Sequence, residues 1–200
     1  MSKLSAGPHP SSFIWQGRFD GDAPEHQRVF QQIKTKGEVS DFALIGFASD
    51  EGVKRNQGRV GASQAPDVIR SQMASLPVHD ILSLTDLGNI VCQEDDLEGA
   101  QQALGLTIQK ALGQRMLPIV LGGGHAIAYG SFQGIFHHYL ATEPNKTVGI
   151  INFDAHFDLR EADKPTSGTP FLNAAFLSQK NNKPFHYLCL GVAEHSNTKV

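Results

Sequence analysis

Two aspartates and a histidine alternate along one short stretch, which begins at Asn152 and reads NFDAHFDLR. Asp154, His156 and Asp158 follow directly after an apolar run. A β-strand sends alternate side chains to one face, about 6.6 Å apart. If the strand continues through Phe157, two carboxylates and an imidazole share a face, which is unfavourable unless a positive charge lies between them. This pattern predicts a metal site.

A further histidine follows another predicted strand. The apolar residues 117–121 lead at once into Gly122-Gly123-Gly124-His125, and an amphipathic run after the histidine predicts a helix. In open α/β sheets, ligands bind where the parallel strands end. If the two strands are neighbours, about 4.8 Å apart, His125 shares one site with Asp154 and His156.

Both motifs have simpler interpretations. The acidic stretch can be a polar strand end that faces solvent. The glycines at 122–124 can cradle a phosphate at a helix start, but neither the lysine of GxxxxGK[ST] nor the spacing GxGxxG is present. We therefore favour glycines that let the backbone approach the site closely.

Carboxylate and imidazole ligands without thiolate suit Mn, Fe or catalytic Zn. Three or more carboxylates around two imidazoles indicate a pair of ions about 3.5–4 Å apart, with water between them acidified enough to attack at neutral pH. Four protein ligands are few for two ions. Further carboxylates are expected from elsewhere, because Glu161, Asp163 and Glu194 are poorly placed.

The bulk composition is that of an ordinary soluble chain. With 200 residues, of which 40% are hydrophobic and 18% charged, it can form one domain with a substantial core. A net charge of -3 gives no reason to expect nucleic acid or membrane partners. There is no signal peptide-like stretch. Cys92 and Cys189 lack metal or redox spacing, as expected for reduced thiols of a cytoplasmic protein.

Strands and helices alternate after a polar, irregular segment at residues 1–40. The predicted strands are 41–47, 81–84, 116–121, 147–153 and 186–192, and the predicted helices are 25–34, 67–76, 94–114, a run after His125, and 171–179. Short connections between them predict a three-layer α/β/α domain with a central, mostly parallel sheet over residues 41–200. The chain stops a few residues past a strand with no helix to cover it, so we expect a sheet that is incomplete at the C-terminus.

The two motifs closely resemble the first two metal motifs of the arginase/agmatinase (ureohydrolase) family. Residues 58–70 resemble the family's glycine-and-proline segment, although Ala65 replaces the usual glycine before the proline. The match runs from about residue 41 to the end. The family fold is a parallel α/β sheet that carries two manganese ions, so the resemblance implies the same arrangement here.

The resemblance also implies a ligand set. His125, Asp154 and Asp158 would hold one ion, and His156 would hold the other, with Asp154 bridging. The family has a further Asp-x-Asp motif from a later strand, which is absent here. A chain cut short in this way would lack ligands for the second ion, so this 200-residue form is expected to be inactive or nearly so.

Within the family, the resemblance is closest to the members that cleave N-formimidoyl-L-glutamate to glutamate and formamide. It rests on Arg160, on the segment SGTPF that begins at Ser167, and on the glycine-rich residues 56–62. By an ungapped match to arginases, Arg160 and Ser167 fall where side chains contact the substrate's α-carboxylate. Phe171 replaces a histidine that shuttles protons in arginases, which argues against arginine as substrate.

The implied reaction is hydrolysis of a small-molecule substrate by a homo-oligomeric enzyme, with Asp158 relaying a proton to the departing nitrogen. An arginine can hold a substrate carboxylate bidentately. Arg160 can instead be an exposed residue that pairs with Glu161 or Asp163. The alternative functions are an agmatinase or another guanidino-acid hydrolase, and a catalytically incompetent fragment of such an enzyme. The contacts of Asn56 and Arg59 are not predicted.

Overall fold

The computed structural model describes residues 13–35, 37–80 and 82–197. The strands are β1 Lys34–Thr35, β2 Phe42–Ala48, β3 Leu84–Val91, β4 Leu117–Leu121, β5 Gly149–Phe153 and β6 His186–Leu190. The α-helices are α1 Val29–Gln32, α2 Glu51–Arg55, α3 Ala65–Ala74, α4 Leu97–Gly113, α5 Ile127–Thr142 and α6 Pro170–Lys180. Short 3-10 turns cover Pro24–His26, Ala62–Gln64 and Glu194–Ser196.

All strand pairs are parallel, and the predicted α/β class is confirmed. The strands form two sheets, however, with the orders β1-β3-β2-β4 and β5-β6. In the described residues, β4 pairs only with β2, and β5 pairs only with β6. The prediction that β4 and β5 are adjacent is therefore wrong. Succession along the chain does not fix adjacency in a sheet, because a crossover connection can skip positions.

The second predicted strand, 81–84, is also wrong. The structure begins β3 at Leu84 and ends it at Val91, and Ile81 lies outside the described residues. Apolar patterning did not reveal this strand because Thr85, Asp86 and Asn89 are buried within it. The predicted helix 94–114 begins later, at Leu97, because the Asp96 side chain caps it by accepting a hydrogen bond from the Gly99 N–H.

The helix α5 packs between two halves of the molecule. One half is α4 with the larger sheet, and the other is α6 with the smaller sheet. On one side Gly134 lies so close to α4 that an added Cβ would be 2.6 Å from the Cβ of Ile108. On the other side Phe132 and Phe136 form a core with α6 and the inner face of β5. The main core lies between α4 and the larger sheet, with the buried side chains of Ile45, Phe47, Ile90, Leu97, Leu104 and Ile108.

Apolar side chains also remain exposed on the outer face of the smaller sheet. Ile151 is 66% exposed and Phe153 is 81% exposed, and they pair in register with the exposed residues Leu188 and Leu190. Within the part of the chain that the structure describes, no helix combines the length and apolarity needed to cross a membrane.

Candidate metal centre

The side chains of His125, Asp154 and Asp158 converge. Nδ1 of His125 lies 2.5 Å from Oδ2 of Asp158 and 3.2 Å from Oδ2 of Asp154. One ligand atom from each of the three residues lies within 4.8 Å of the others. Three of the residues that were predicted from the sequence therefore lie together, although they follow strands that are not neighbours.

His125 is positioned by the glycine turn between β4 and α5. An added Cβ on Gly123 would lie 2.2 Å from the carbonyl oxygen of Phe47, whereas an added Cβ on Gly122 would meet nothing within 4 Å. The backbone of Gly123 therefore passes directly over the end of β2. This close approach is what the glycine run provides, and it holds His125 just beyond the sheet edge.

The acidic residues are positioned by a loop rather than by strand alternation. The strand β5 ends at Phe153, so the prediction of a strand through Phe157 is wrong. The Asp154 N–H still donates to the carbonyl of Leu190 at 3.0 Å, which fixes the loop to the end of β6. Asp158 has φ +48, a left-handed conformation that turns the chain and directs its carboxylate toward His125.

His156 lies beside this group but outside it. Its Nδ1 is 3.4 Å from Oδ1 of Asp154, and its backbone N–H donates to the same oxygen at 2.9 Å. Its side chain is half-exposed. The carboxylate of Asp154 therefore presents one oxygen to each histidine, with Oδ2 toward His125 and Oδ1 toward His156.

The charge balance of the cluster suits a cation. Among the described residues, no lysine or arginine forms an ion pair with Asp154 or Asp158. The hydrogen bond with Asp158 raises the pKa of His125, and burial of the ring opposes that shift. A metal ion would take the place of the shared proton, and carboxylate and imidazole donors without thiolate fit Mn, Fe or Zn.

Arg160, which follows Asp158 by two residues, contacts Gly168, the residue directly after Ser167. The Arg160 N–H donates to the Gly168 carbonyl at 3.0 Å, and an added Cβ on Gly168 would lie 3.3 Å from Cδ of Arg160 and 3.5 Å from Oδ1 of Asn56. Arg160 is exposed, and in the described residues it forms no ion pair with neighbouring acids. Its guanidinium group is thus available to a ligand.

The helix α2 supports the segment that contains Pro165 and Ser167. Neither the helix nor this contact was predicted from the sequence. An added Cβ on Gly52 would lie 2.6 Å from the Cβ of Ala126, and the Gly52 carbonyl accepts from the Ser167 N–H at 2.9 Å. Arg55 donates to the Pro165 carbonyl at 3.0 Å and pairs with Glu98 at 2.9 Å. The run EGVKRNQG is polar and lacks a helical apolar pattern, so no helix is predicted there.

Phe171 forms a wall of the site. The ring is 3% exposed, and its edge meets the His125 ring with 5.5 Å between centroids. Its face stacks on Tyr187 at 4.5 Å. An aromatic hydrocarbon in this place cannot exchange protons, but it limits the rotation of the His125 imidazole. The contribution of Tyr187 was not predicted, since an isolated tyrosine within an apolar strand resembles any core residue.

The two glycines provide a matched pair of substitutions. Gly123→Ala is expected to reduce the free energy of unfolding by about 1–3 kcal/mol, because the new methyl group would clash with the Phe47 carbonyl. Gly122→Ala is the control, and it should change stability by less than about 0.5 kcal/mol. Urea denaturation of both variants measures the difference. Equal stability of the two variants would contradict the proposed close approach.

Comparisons with known proteins agree with this geometry. Residues 40–200 match the model of the Arginase family. The formimidoylglutamase of Chromobacterium violaceum is 46% identical over 190 residues, which cover 94% of this chain and 60% of that protein. The chain thus spans less than two thirds of this curated relative.

Solved structures show the same relationship. The crystal structure of formimidoylglutamase from Bacillus subtilis aligns with a TM-score of 0.67 at 27% identity, covering 84% of this chain and 53% of that one. Trypanosoma cruzi formiminoglutamase with Mn²⁺ aligns with a TM-score of 0.58 at 27% identity, covering 74% of this chain and 60% of that one. With the family match extending over most of its length, this chain belongs to the arginase family.

Proposed function

We propose that this protein is a metal-dependent hydrolase that cleaves N-formimidoyl-L-glutamate to L-glutamate and formamide. The main observation behind the proposal is the position of Arg160, an exposed cation that forms no ion pair within the described residues and lies in the same loop as the proposed ligand Asp158. A substrate with two carboxylates needs such a group. The relatives named formimidoylglutamase support the same substrate class.

The proposed cofactor is manganese, with two ions in a complete subunit. His125, Asp154 and Asp158 would hold one ion, and His156 would contribute to the other, with Asp154 between them. The two oxygens of Asp154, each directed at a different histidine, support this assignment. The bound ions would supply water that is acidified enough to attack an amidine carbon at neutral pH.

The chain's own residues would bind the substrate and move the proton. Arg160 and Ser167 hold the substrate carboxylates, so that the formimidoyl carbon lies beside the attacking water. A carbon–oxygen bond forms and the bond between that carbon and the glutamate nitrogen breaks. Asp158 accepts a proton from the water and returns it to the departing nitrogen, which leaves as the amine of glutamate while formamide is released.

Product analysis tests the reaction. The purified protein, in the longest form that its coding sequence supplies and with added Mn²⁺, is assayed with formimidoylglutamate, agmatine, arginine and guanidinobutyrate. We expect turnover of formimidoylglutamate with equal yields of glutamate and formamide. Release of ammonia instead of formamide would refute the bond assignment. Turnover of agmatine would favour the agmatinase alternative, which is disfavoured because Arg160 would repel a cationic amine.

Arg160→Asn is expected to raise KM for formimidoylglutamate by about 10–100-fold, because charged hydrogen bonds to a carboxylate are lost. Arg115→Asn is the matched control, since this exposed residue precedes β4, at the end of the strand opposite His125. Steady-state kinetics compare the two variants. If Arg160→Asn left KM unchanged, Arg160 would have no role in substrate binding.

We further propose a cytoplasmic homo-oligomer without nucleic acid or membrane partners. The free thiols of Cys92 and Cys189 are consistent with a reducing compartment. Sedimentation analysis of the purified protein tests the oligomeric state. Metal content and turnover, measured on the 200-residue chain and on any longer form that its coding sequence supplies, test whether this form is active by itself.

A further inference from the structure

The loop after β5, which carries Asp154 and Asp158, contains a residue in an unfavourable conformation. Asp158 is not a glycine, yet its φ of +48 lies in the left-handed region. Such residues cost about 1–3 kcal/mol and persist only where the surroundings hold them. The conformation matters to the site because Asp158 approaches His125 more closely than Asp154 does.

Three consecutive carbonyl groups of this loop accept hydrogen bonds from β6 and α6. The Cys189 thiol lies 3.2 Å from the His156 oxygen, the Tyr187 hydroxyl donates to the Phe157 oxygen at 2.9 Å, and the Phe171 N–H donates to the Asp158 oxygen at 3.3 Å. The hydroxyl contact is the shortest of the three. It is made to the residue directly before Asp158, so it fixes the peptide group whose orientation sets the φ of Asp158.

The Tyr187 hydroxyl is itself held in place. Its ring stacks on Phe171 at 4.5 Å and on Phe185 at 5.9 Å, and Nδ2 of Asn152 donates to its oxygen at 3.2 Å. Because that oxygen accepts from Asn152, its own proton is directed to the Phe157 carbonyl. Burial also raises the pKa of Tyr187, so the hydroxyl remains a donor at neutral pH.

We propose that Tyr187 is a positioning residue for the metal centre, which holds Asp158 in its left-handed conformation through the Phe157 carbonyl. This role rests on the metal site of the proposed function. Tyr187 is not one of the clustered residues, and its hydroxyl is directed to the Phe157 carbonyl. Its effect on the reaction passes through the direction of the Asp158 carboxylate.

Tyr187→Phe removes only the hydroxyl and retains the aromatic stacking. We expect this variant to bind Mn²⁺ about 10-fold more weakly, as is typical when a group that orients a metal ligand is lost. The dissociation constant is measured from the electron paramagnetic resonance signal of free Mn²⁺. Tyr139→Phe is the matched control, because the same atom is removed from the far part of α5, where Lys146 lies over the ring. The control should bind Mn²⁺ with unchanged affinity.

Amide hydrogen exchange in the metal-free chain gives a second measurement. In Tyr187→Phe the Phe171 N–H, which donates to Asp158, should exchange about 10-fold faster, whereas the amides of α4 should not change. This local change would not follow from a general loss of stability. Should Tyr187→Phe fail to fold, Asn152→Ala tests the same hydrogen-bond chain, with weaker Mn²⁺ binding as the expected result.

The possible results of these experiments distinguish the positioning role of Tyr187 from the proposed metal-dependent function. Unchanged Mn²⁺ affinity together with unchanged exchange at Phe171 would overturn the role of Tyr187 and leave the metal site intact. If the unaltered chain did not bind Mn²⁺ but exchange at Phe171 still increased in Tyr187→Phe, the metal site would be refuted. The effect of Tyr187 on the conformation of Asp158 would then still be supported, but without a metal site.

Discussion

Asp154→Asn is expected to weaken Mn²⁺ binding by more than about 100-fold, with turnover falling at least as far. Loss of a group that only orients a metal ligand lowers metal affinity by about 10–100-fold. Asp154 would itself be a ligand, so its loss should have a larger effect. Its two oxygens lie 3.2 Å from His125 and 3.4 Å from His156. The amide keeps the size of the side chain but removes its negative charge. Metal content after dialysis and steady-state kinetics measure the loss.

Asp163→Asn is the matched control for this substitution. Asp163 is an exposed aspartate that lies farther along the same loop and outside the ligand group. It should retain both metal and activity. Full metal occupancy in Asp154→Asn would show that the cluster at the ends of β4 and β5 is not the metal site, and the proposed hydrolase function would then lose its basis.

Arg70→Met is expected to lower the free energy of unfolding by about 3–5 kcal/mol, as is typical when one partner of a buried ion pair is removed. Arg70 is fully buried, and it donates to both carboxylate oxygens of Asp86 at 2.8 and 2.9 Å and to the Asn89 side chain at 2.6 Å. Without the guanidinium group, the charge of Asp86 remains buried within β3 of the larger sheet.

Two further variants test that explanation. Arg18→Met removes an exposed pair with Asp20, and it should cost less than about 1 kcal/mol. The double variant Arg70→Met/Asp86→Leu should recover much of the lost stability, because no charge then remains buried. Chemical denaturation of the three variants is the measurement. A loss in Arg70→Met no larger than that in Arg18→Met would contradict the proposed burial cost.

The candidate site could be predicted because its residues belong to two short motifs, each of which directly follows an apolar run. Asp154 and Asp158 lie in one short loop, and His125 directly follows an apolar strand. The geometry assumed for them was wrong in two respects, since β4 and β5 do not pair and β5 ends before Asp154. The side chains converge because each strand ends at the same region of the molecule, and the left-handed turn at Asp158 replaces the assumed strand alternation.

Long-range contacts could not be predicted from local patterns. Arg70 and Asp86 are separated by 16 residues and are both buried, whereas their polarity indicates a surface position. Asp86 accepts a hydrogen bond from the Gly88 N–H at 2.9 Å, but its main partner is Arg70. Tyr187 is likewise 30 residues from Phe157, so no spacing rule connects them.

The candidate site lies where the two sheets meet, with His125 after β4 and the two aspartates after β5. Because those strands share no backbone hydrogen bonds, an ion held by all three side chains would link one half of the molecule directly to the other. A ligand that binds only the assembled arrangement shifts the population toward it. Metal binding at this site would therefore be coupled to the mutual orientation of the halves, and removal of the ion by a chelator would be expected to loosen their contact.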